Sequence, residues 1–270
     1  MLEENLHEEL RRFPITGRFL AGRLRHDMSQ EEREILETSI SEIVEIKKPT
    51  RILNHGEIYD HSTMLIDGFV IRSIDGPENR YGVSFHVPGD FVDLHCFALK
   101  RLDHNIDTIG PAKVGYVPHE HLREIMEQHP HLARLLWFST LLDAAMHREW
   151  IMKLEQLTTA RRLAHIFAEI WRRLRMVGLG DEMGFDTPLT QAELADLSGA
   201  TAIHVNRALR ELKDSDVAEF SRGRVDIQDQ KRLEAFGHFQ ADYLYGEGLN
   251  YLGEGFSQKK SLLHHKISEG

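Results

Sequence analysis

From Pro130 to about Leu157 the chain runs without another proline or any glycine, whereas the stretch before it is cut repeatedly by both. Proline suits the first turn of a helix, and an unbroken run of this length reads as one long helix. Leu132, Leu135, Leu136, Leu142, Ala145, Met146 and Leu154 recur at spacings of three, four and seven, with Arg134, Asp143, Arg148 and Lys153 on other faces. Such a stripe can pack on its own β lobe or pair with its copy. With Trp137 and Trp150 added, the expectation is a homodimer helix whose contact residues are Leu135, Leu142, Ala145 and Met146.

Residues 42–117 contain short β-rich runs, SEIVEIKKP, TRILN, TMLIDGFVIRSI, RYGVSFHV and AKVGYVP, separated by His55-Gly56, Asp75-Gly76-Pro77, Pro88-Gly89 and Gly110-Pro111. Closely spaced strands with this punctuation predict a small antiparallel barrel or jelly roll. Ahead of it, Ser29 with Glu32 forms a capping box that opens a helix. The fold class expected is α+β, in four parts: a β-roll at 1–128, the long helix at 129–157, a helical domain at 158–246 and a tail at 247–270. At 270 residues, 41% hydrophobic and 28% charged, the composition is that of a soluble globular protein. No apolar run is long enough to span a bilayer, and the acidic start MLEENLHEEL is unlike a signal peptide, so a cytoplasmic location and no membrane partner are expected. The single cysteine, Cys96, excludes an intrachain disulfide and any cluster held by four cysteines of one chain.

LTQAELADLSGATAIHVNRALREL, residues 189–212, carries the most specific pattern. Thr190 with Glu193 is a second capping box, Gly199 permits a sharp bend, and Thr201 caps a further helix to about Lys213. Small and apolar residues at Ala195, Gly199, Val205 and Ala208 give the spacing of a helix-turn-helix. With Val205, Ala208, Leu209 and Leu212 turned inward, Ala202, Ile203, Asn206, Arg207 and Arg210 turn outward. Arginine can read guanine, asparagine can read adenine, and alanine or isoleucine can lie on a thymine methyl. Thr190, Thr201 and His204 are then placed for phosphates. VAEFSRGRVDI follows, a hairpin with a cationic tip at Arg222-Gly223-Arg224, which reads as a wing tracking the backbone. The segment also carries seven acidic residues, so affinity depends on placement, and the net charge of −10 decides little.

The order of parts, β-roll, long helix, helix-turn-helix and wing, resembles the Crp/Fnr family of bacterial transcription regulators over about residues 30–245. LTQAELADLSGATAIHVNRALRELKDSDVAEFSRGRVDIQD and FHVPGDFVDLHCFALKRLDHNI carry the likeness, and FGHFQADYLY resembles an extension of some members. The resemblance implies a homodimer on a palindromic operator in double-stranded DNA, with Arg207 matching an arginine that relatives use. Ile203 stands where the best known relatives read bases with a glutamate. RNA polymerase and an unidentified small-molecule effector are the further partners it admits.

The resemblance places an effector pocket at Gly89, Asp90, Asp93, His95, Cys96, Lys100, Arg101 and His104. Relatives that bind cyclic AMP follow their Gly-Glu pair with Arg-Ser; here Gly89-Asp90 is followed by Leu102-Asp103-His104-Asn105, and a phosphate beside Asp93, Asp103 and Asp107 lacks its charge partner. Cyclic AMP is therefore not the expected ligand, and the cofactor stays unknown. Haem is an alternative, because His86, His95, Cys96 and His104 crowd the same segment. The rival of another class is a cupin-like metal enzyme, which needs a His-x-His pair on one strand; His119-Glu120-His121 has that spacing within a helical segment. Hydrolase, Walker-type and dinucleotide fingerprints are missing from the sequence, so no catalytic residues and no metal ligands are assigned.

Overall fold

The computed structural model describes residues 2–77 and 79–246, so the 247–270 tail lies outside the described residues. Helix α1 (Leu2–Arg12) is followed by a turn-rich strap and by α2 (Gln30–Thr38). The Ser29 hydroxyl accepts from the Glu32 amide while the Glu32 carboxylate accepts from the Ser29 amide, the reciprocal cap that the sequence predicts.

Seven strands then form the roll: β1 (Glu42–Ile46), β2 (Arg51–Leu53), β3 (His61–Asp67), β4 (Val70–Asp75), β5 (Arg80–His86), β6 (Asn105–Thr108) and β7 (Ala112–Pro118), with the short helix α3 (Cys96–Leu99) between β5 and β6. They make two antiparallel sheets, β1-β7-β3 and β2-β6-β4-β5. The run TMLIDGFVIRSI, which reads as one β segment, is two strands in different sheets; the chain changes sheets at Asp67-Gly68. Leu53, Leu65, Val70, Val92, Cys96, Leu102, Ile106, Ala112 and Val114 pack together inside the roll.

Helix α4 (His119–Gln128) leads to α5 (Pro130–Gln156), 27 residues long with Pro130 at its start. Beyond α5 come α6 (Thr159–Met176), strand β8 (Gly184–Asp186), α7 (Gln191–Ser198), α8 (Ala202–Asp214), strands β9 (Glu219–Ser221) and β10 (Arg224–Asp226), and α9 (Gln230–Phe236). GLGDEMGFDTP, read as a loop, supplies β8, the outer strand of a β8-β10-β9 sheet. Its Gly184-Phe185-Asp186 is too short for a periodic signal, and pairing with β10 makes it a strand.

One hydrophobic cluster runs from the roll through α5 and α6 into α7 and α8, joining Phe85, Met146, Phe167, Trp171, Leu194 and Val205. The amino-terminal strap belongs to both ends of the molecule: Arg18 Nε donates to the Val177 carbonyl at 3.1 Å, and Arg23 Nε to the Leu244 carbonyl at 2.8 Å. FGHFQADYLY lies on α6, where His165 bonds to the Gly237 carbonyl and the Tyr243 hydroxyl.

The α5 stripe requires a correction. Leu135, Leu142, Ala145 and Met146 are all buried within the protomer, together with Leu132, Leu136 and Trp150. These residues hold α5 to its own roll and to α6, so they are not available to a second copy. The outer face is a different line: Arg134, Trp137, Leu141, Ala144, Arg148 and Ile151 are exposed at alternating spacings of three and four. Trp137, Leu141 and Ile151 are 62%, 51% and 63% exposed.

Candidate nucleic-acid interface and sensor lobe

Thr190 caps α7 with its hydroxyl and is itself engaged by Glu193, while Thr201 caps α8 by accepting from the His204 amide. Gly199 sits between the helices at φ +60°, a left-handed conformation that a side chain would strain, which lets the chain bend at once into α8. Val205, Ala208 and Leu212 are buried, with Leu209 half-buried beside them. Burying these positions fixes the rotation of α8 and leaves Ala202, Ile203, His204, Asn206, Arg207 and Arg210 exposed. Ile203 is 66% exposed, an apolar side chain held in water on a well-packed helix. Asn206 Nδ2 rests on the Ala202 carbonyl of its own helix at 3.0 Å.

The wing divides its two arginines. Arg222 is exposed at φ +50° on the β9–β10 turn. Arg224, expected on phosphate, is committed elsewhere: its guanidinium donates to Asp181 and Asp226 at 2.7 Å and to Asp186 at 3.3 Å. These carboxylates hold it as the clip of the three-stranded sheet. The signal for this was in the sequence, in the acidic residues on either side, but their convergence depends on β8, which the sequence did not reveal.

The helix-turn-helix is tied to the rest of the molecule by arginines. Arg162 on α6 donates to the Leu157 carbonyl at 2.9 Å and to the Ser198 carbonyl at 2.8 Å, pinning the helix-turn-helix bend to the α5–α6 joint. Arg80 on β5 donates to Asp196 on α7 at 2.8 Å. Gly82 completes that contact: a Cβ there would lie 2.8 Å from the Leu197 side chain. Arg173 on α6 is fully buried and donates to the Phe85 carbonyl at 2.6 Å and to Asp90.

Below Arg173 lies a buried polar cluster. Glu169 accepts from Trp150 Nε1 at 3.2 Å and from the Tyr243 hydroxyl at 2.7 Å. Lys153 on α5 is completely buried with its Nζ 3.1 Å from the Trp150 ring centroid, and its ammonium has no hydrogen-bond acceptor. Burial pulls the Lys153 ammonium down to about 7, against which Glu169 raises it.

The eight residues expected to form an effector pocket do not converge. Gly89 lies against the Arg18 backbone, and Asp90 bonds the Val87 amide and Arg173, so both are used to dock the strap and α6. Asp93 is buried and takes both the amide and the hydroxyl of Thr63; burial nevertheless raises its carboxyl to about 6. Cys96 is in the roll core, where burial pushes its thiol up to about 12, far from a reactive thiolate. Lys100 is exposed and folds back on the Phe97 carbonyl, and Arg101 is exposed on an edge bridge to Ile58. Only His95 and His104 meet, with ring centroids 5.2 Å apart. The sequence reading lacked the reason: Asp90, Asp93 and Cys96 are taken up by packing partners far away in the chain.

The His119 and His121 pair weighed for a cupin site lies at the start of α4, and the two rings part: His119 Nε2 is 3.3 Å from the Ser62 hydroxyl, and His121 Nδ1 lies 2.9 Å from the Ser39 carbonyl. His86, weighed for haem, has its Nε2 engaged by the Ser84 hydroxyl at 2.9 Å.

Residues 161–236 match the model of the Crp-like helix-turn-helix domain. That stretch is similar to the family, and the described chain shares the fold of the following solved structures. The structure of FixK2 from Bradyrhizobium japonicum superposes with a TM-score of 0.66, at 21% identity over 72% of this chain and 96% of that one. A putative cAMP-binding regulatory protein from Silicibacter pomeroyi DSS-3 gives 0.57, at 19% identity over 86% and 99%. In sequence, the chain is 37% identical over 116 residues to the transcriptional activator protein FnrL of Cereibacter sphaeroides. That stretch is 41% of this chain and spans about half of FnrL, 46% of its length. No helix among the described residues is long and apolar enough to cross a membrane.

Proposed function

We propose that this protein is a sequence-specific, DNA-binding transcription regulator of the Crp/Fnr type, acting in the cytoplasm as a homodimer on palindromic operators. The observation that carries the reading is α8: Val205, Ala208 and Leu212 are buried on one face, while Ile203, Asn206 and Arg207 are exposed together on the other. Arg207 and Asn206 suit base edges in a major groove, and Ile203 suits a thymine methyl. Thr190, Thr201, His204, Arg210 and Arg222 border that face and serve the phosphates. Arg224 holds the wing.

The homodimer in this reading pairs the outer line of α5, Trp137, Leu141, Ala144 and Ile151, whose alternation of three and four is that of a coiled-coil seam. A seam of this kind sets the two α8 helices one helical turn of DNA apart. RNA polymerase is the further macromolecule such a regulator addresses. Cyclic AMP is not its ligand in this reading: Asp90 is taken by Arg173, and Arg72, the buried cation of the roll, is taken by the Val92 carbonyl and Asp143. The names of the relatives, an activator and a regulatory protein, support a regulator over an enzyme.

The test is selection of operators from random duplexes by the full chain, followed by fluorescence anisotropy. A two-fold symmetric consensus bound with a salt-dependent affinity is the expected result. Failure to enrich any duplex, or enrichment of an asymmetric half-site alone, would overturn it.

A further inference from the structure

The sensor lobe contains a feature that DNA reading does not use. His95 precedes α3, and Asp103-His104 precedes β6, so the fold brings two ends of one loop together. Among the described residues, the ligand atoms of His95, Asp103 and His104 all lie within 4.8 Å of one another. His104 Nδ1 is 2.7 Å from Asp103 Oδ1, and His95 Nε2 is 3.9 Å from the same oxygen. Around a tetrahedral ion with bonds of about 2.0–2.1 Å, neighbouring ligand atoms sit roughly 3.3 Å apart. His95 Nε2 and Asp103 Oδ1, at 3.9 Å, are near that separation, and the 2.7 Å contact is the hydrogen bond by which Asp103 orients the His104 ring.

A second observation is independent of the spacing. His95 Nε2 and His104 Nε2 are both shielded from solvent and both lack a hydrogen-bond partner, and His104 is only 6% exposed. A buried ring nitrogen left unsatisfied costs about 1–3 kcal/mol, and here each of two rings whose centroids lie 5.2 Å apart carries one. Asp103 is the exposed member, its side chain 74% accessible, which gives an ion a route in.

We propose that His95, His104 and Asp103 form a binding site for a divalent first-row transition-metal ion in the sensor lobe. Two imidazoles and one carboxylate exclude calcium and magnesium, which take oxygen donors, and suit zinc, iron or cobalt. Three protein ligands leave a coordination position open to water or a small molecule. Asp103 either ligates directly or orients His104 through Nδ1, the usual carboxylate partner of a metal-bound histidine. His86 is outside the set, because its Nε2 already meets Ser84.

The experiment uses untagged full-length protein, stripped with chelator, and titrates it with Co2+ while visible ligand-field bands are followed, with Zn2+ as competitor. One ion per chain is expected. His95→Gln and His104→Gln should each weaken binding more than a hundredfold, Asp103→Asn by about 10–100-fold, and His55→Gln, an exposed histidine elsewhere in the roll, should leave it unchanged. No stoichiometric Co2+ uptake by the wild-type chain, or equal uptake by the two histidine variants, overturns the proposal. Should either histidine variant fail to fold by circular dichroism, Asp103→Asn decides, since its side chain is mostly in water; unchanged affinity there also overturns it.

Discussion

Lys153 gives the sharpest quantitative test of how this molecule is held together. Its ammonium is fully buried on α5 with no acceptor, facing Trp150 and lying within the field of Glu169. A lysine lowered from 10.5 to about 7 costs at most about 5 kcal/mol at pH 6 relative to the same lysine in water. The cation–π contact with Trp150 offsets about 1–2 kcal/mol of this, leaving a net cost of at most about 3–4 kcal/mol. Lys153→Met keeps the volume, removes the charge, and leaves Glu169 its donors Trp150, Arg173 and Tyr243. The sign follows from proton counting. The unfolded chain binds a proton at Lys153 up to about pH 10.5, the folded chain only up to about pH 7, so wild-type stability rises with pH between those values. Urea unfolding at pH 6 should therefore show the methionine variant more stable by up to about 3–4 kcal/mol, and the gap should narrow by a similar amount by pH 10. A variant less stable at pH 6, or a gap that does not change with pH, would refute the picture of a buried ammonium whose desolvation outweighs its contacts with Trp150 and Glu169.

Other substitutions separate roles that the sequence alone merges. Trp137→Glu or Ile151→Asp, on the outer line of α5, should give monomers in sedimentation with the fold intact, whereas Leu142→Ala should cost about 2–5 kcal/mol of stability through a cavity; monomers from Leu142→Ala alone would reverse the assignment of the two faces. Arg207→Ala should weaken operator binding by about 1–3 kcal/mol and relax one base position, and Arg222→Ala should lower the salt slope by about 1. Arg224→Ala should leave that slope unchanged and loosen the wing; a slope lowered as far as for Arg222→Ala would return Arg224 to the phosphates. Asp196→Ala should cost about 0.5–1 kcal/mol and raise amide exchange in β5 and α7 together, and unchanged protection there would show that Arg80 does not fasten them.

What could be read from the residues followed how locally each feature is encoded. Both capping boxes, the Pro130 start of α5 and the Gly199 bend depend on neighbours within four positions, and the structure places them as the spacing requires. The outward set on α8 was legible because a single helical period assigns it. Periodicity also found the apolar stripe of α5 but could not say what covers it: a stripe facing the protomer's own core and one facing a partner carry the same signal. Trp137, Leu141 and Ile151 betray the second face only once Leu135, Leu142 and Met146 are seen to be buried. The effector residues failed for a related reason. Asp90 meets Arg173 across 83 positions of chain and Asp93 meets Thr63 across 30, and no local pattern announces such partners.

The arginine ties also determine which path a change in the β-roll takes to α8. Arg80 and Asp196 are 30% and 22% accessible, so water and salt screen their bond, and its contribution is about 1 kcal/mol or less. Arg173 is 1% accessible, and breaking its bond to Asp90 leaves a buried guanidinium with only the 3.5 Å contact to Glu169 as its charge partner, a loss of up to about 3–5 kcal/mol. Asp90 also takes the Val87 amide, and Phe85 gives Arg173 its carbonyl, so the end of β5 and α6 move as one piece. Arg162, about three turns before Arg173 on α6, holds both the α5 terminus and the helix-turn-helix bend. On the regulator reading, a shift of the β5 end therefore reaches α8 by rotating α6 about the α5 seam, while one confined to the β4–β5 hairpin slips at Arg80 and leaves the reading face where it was.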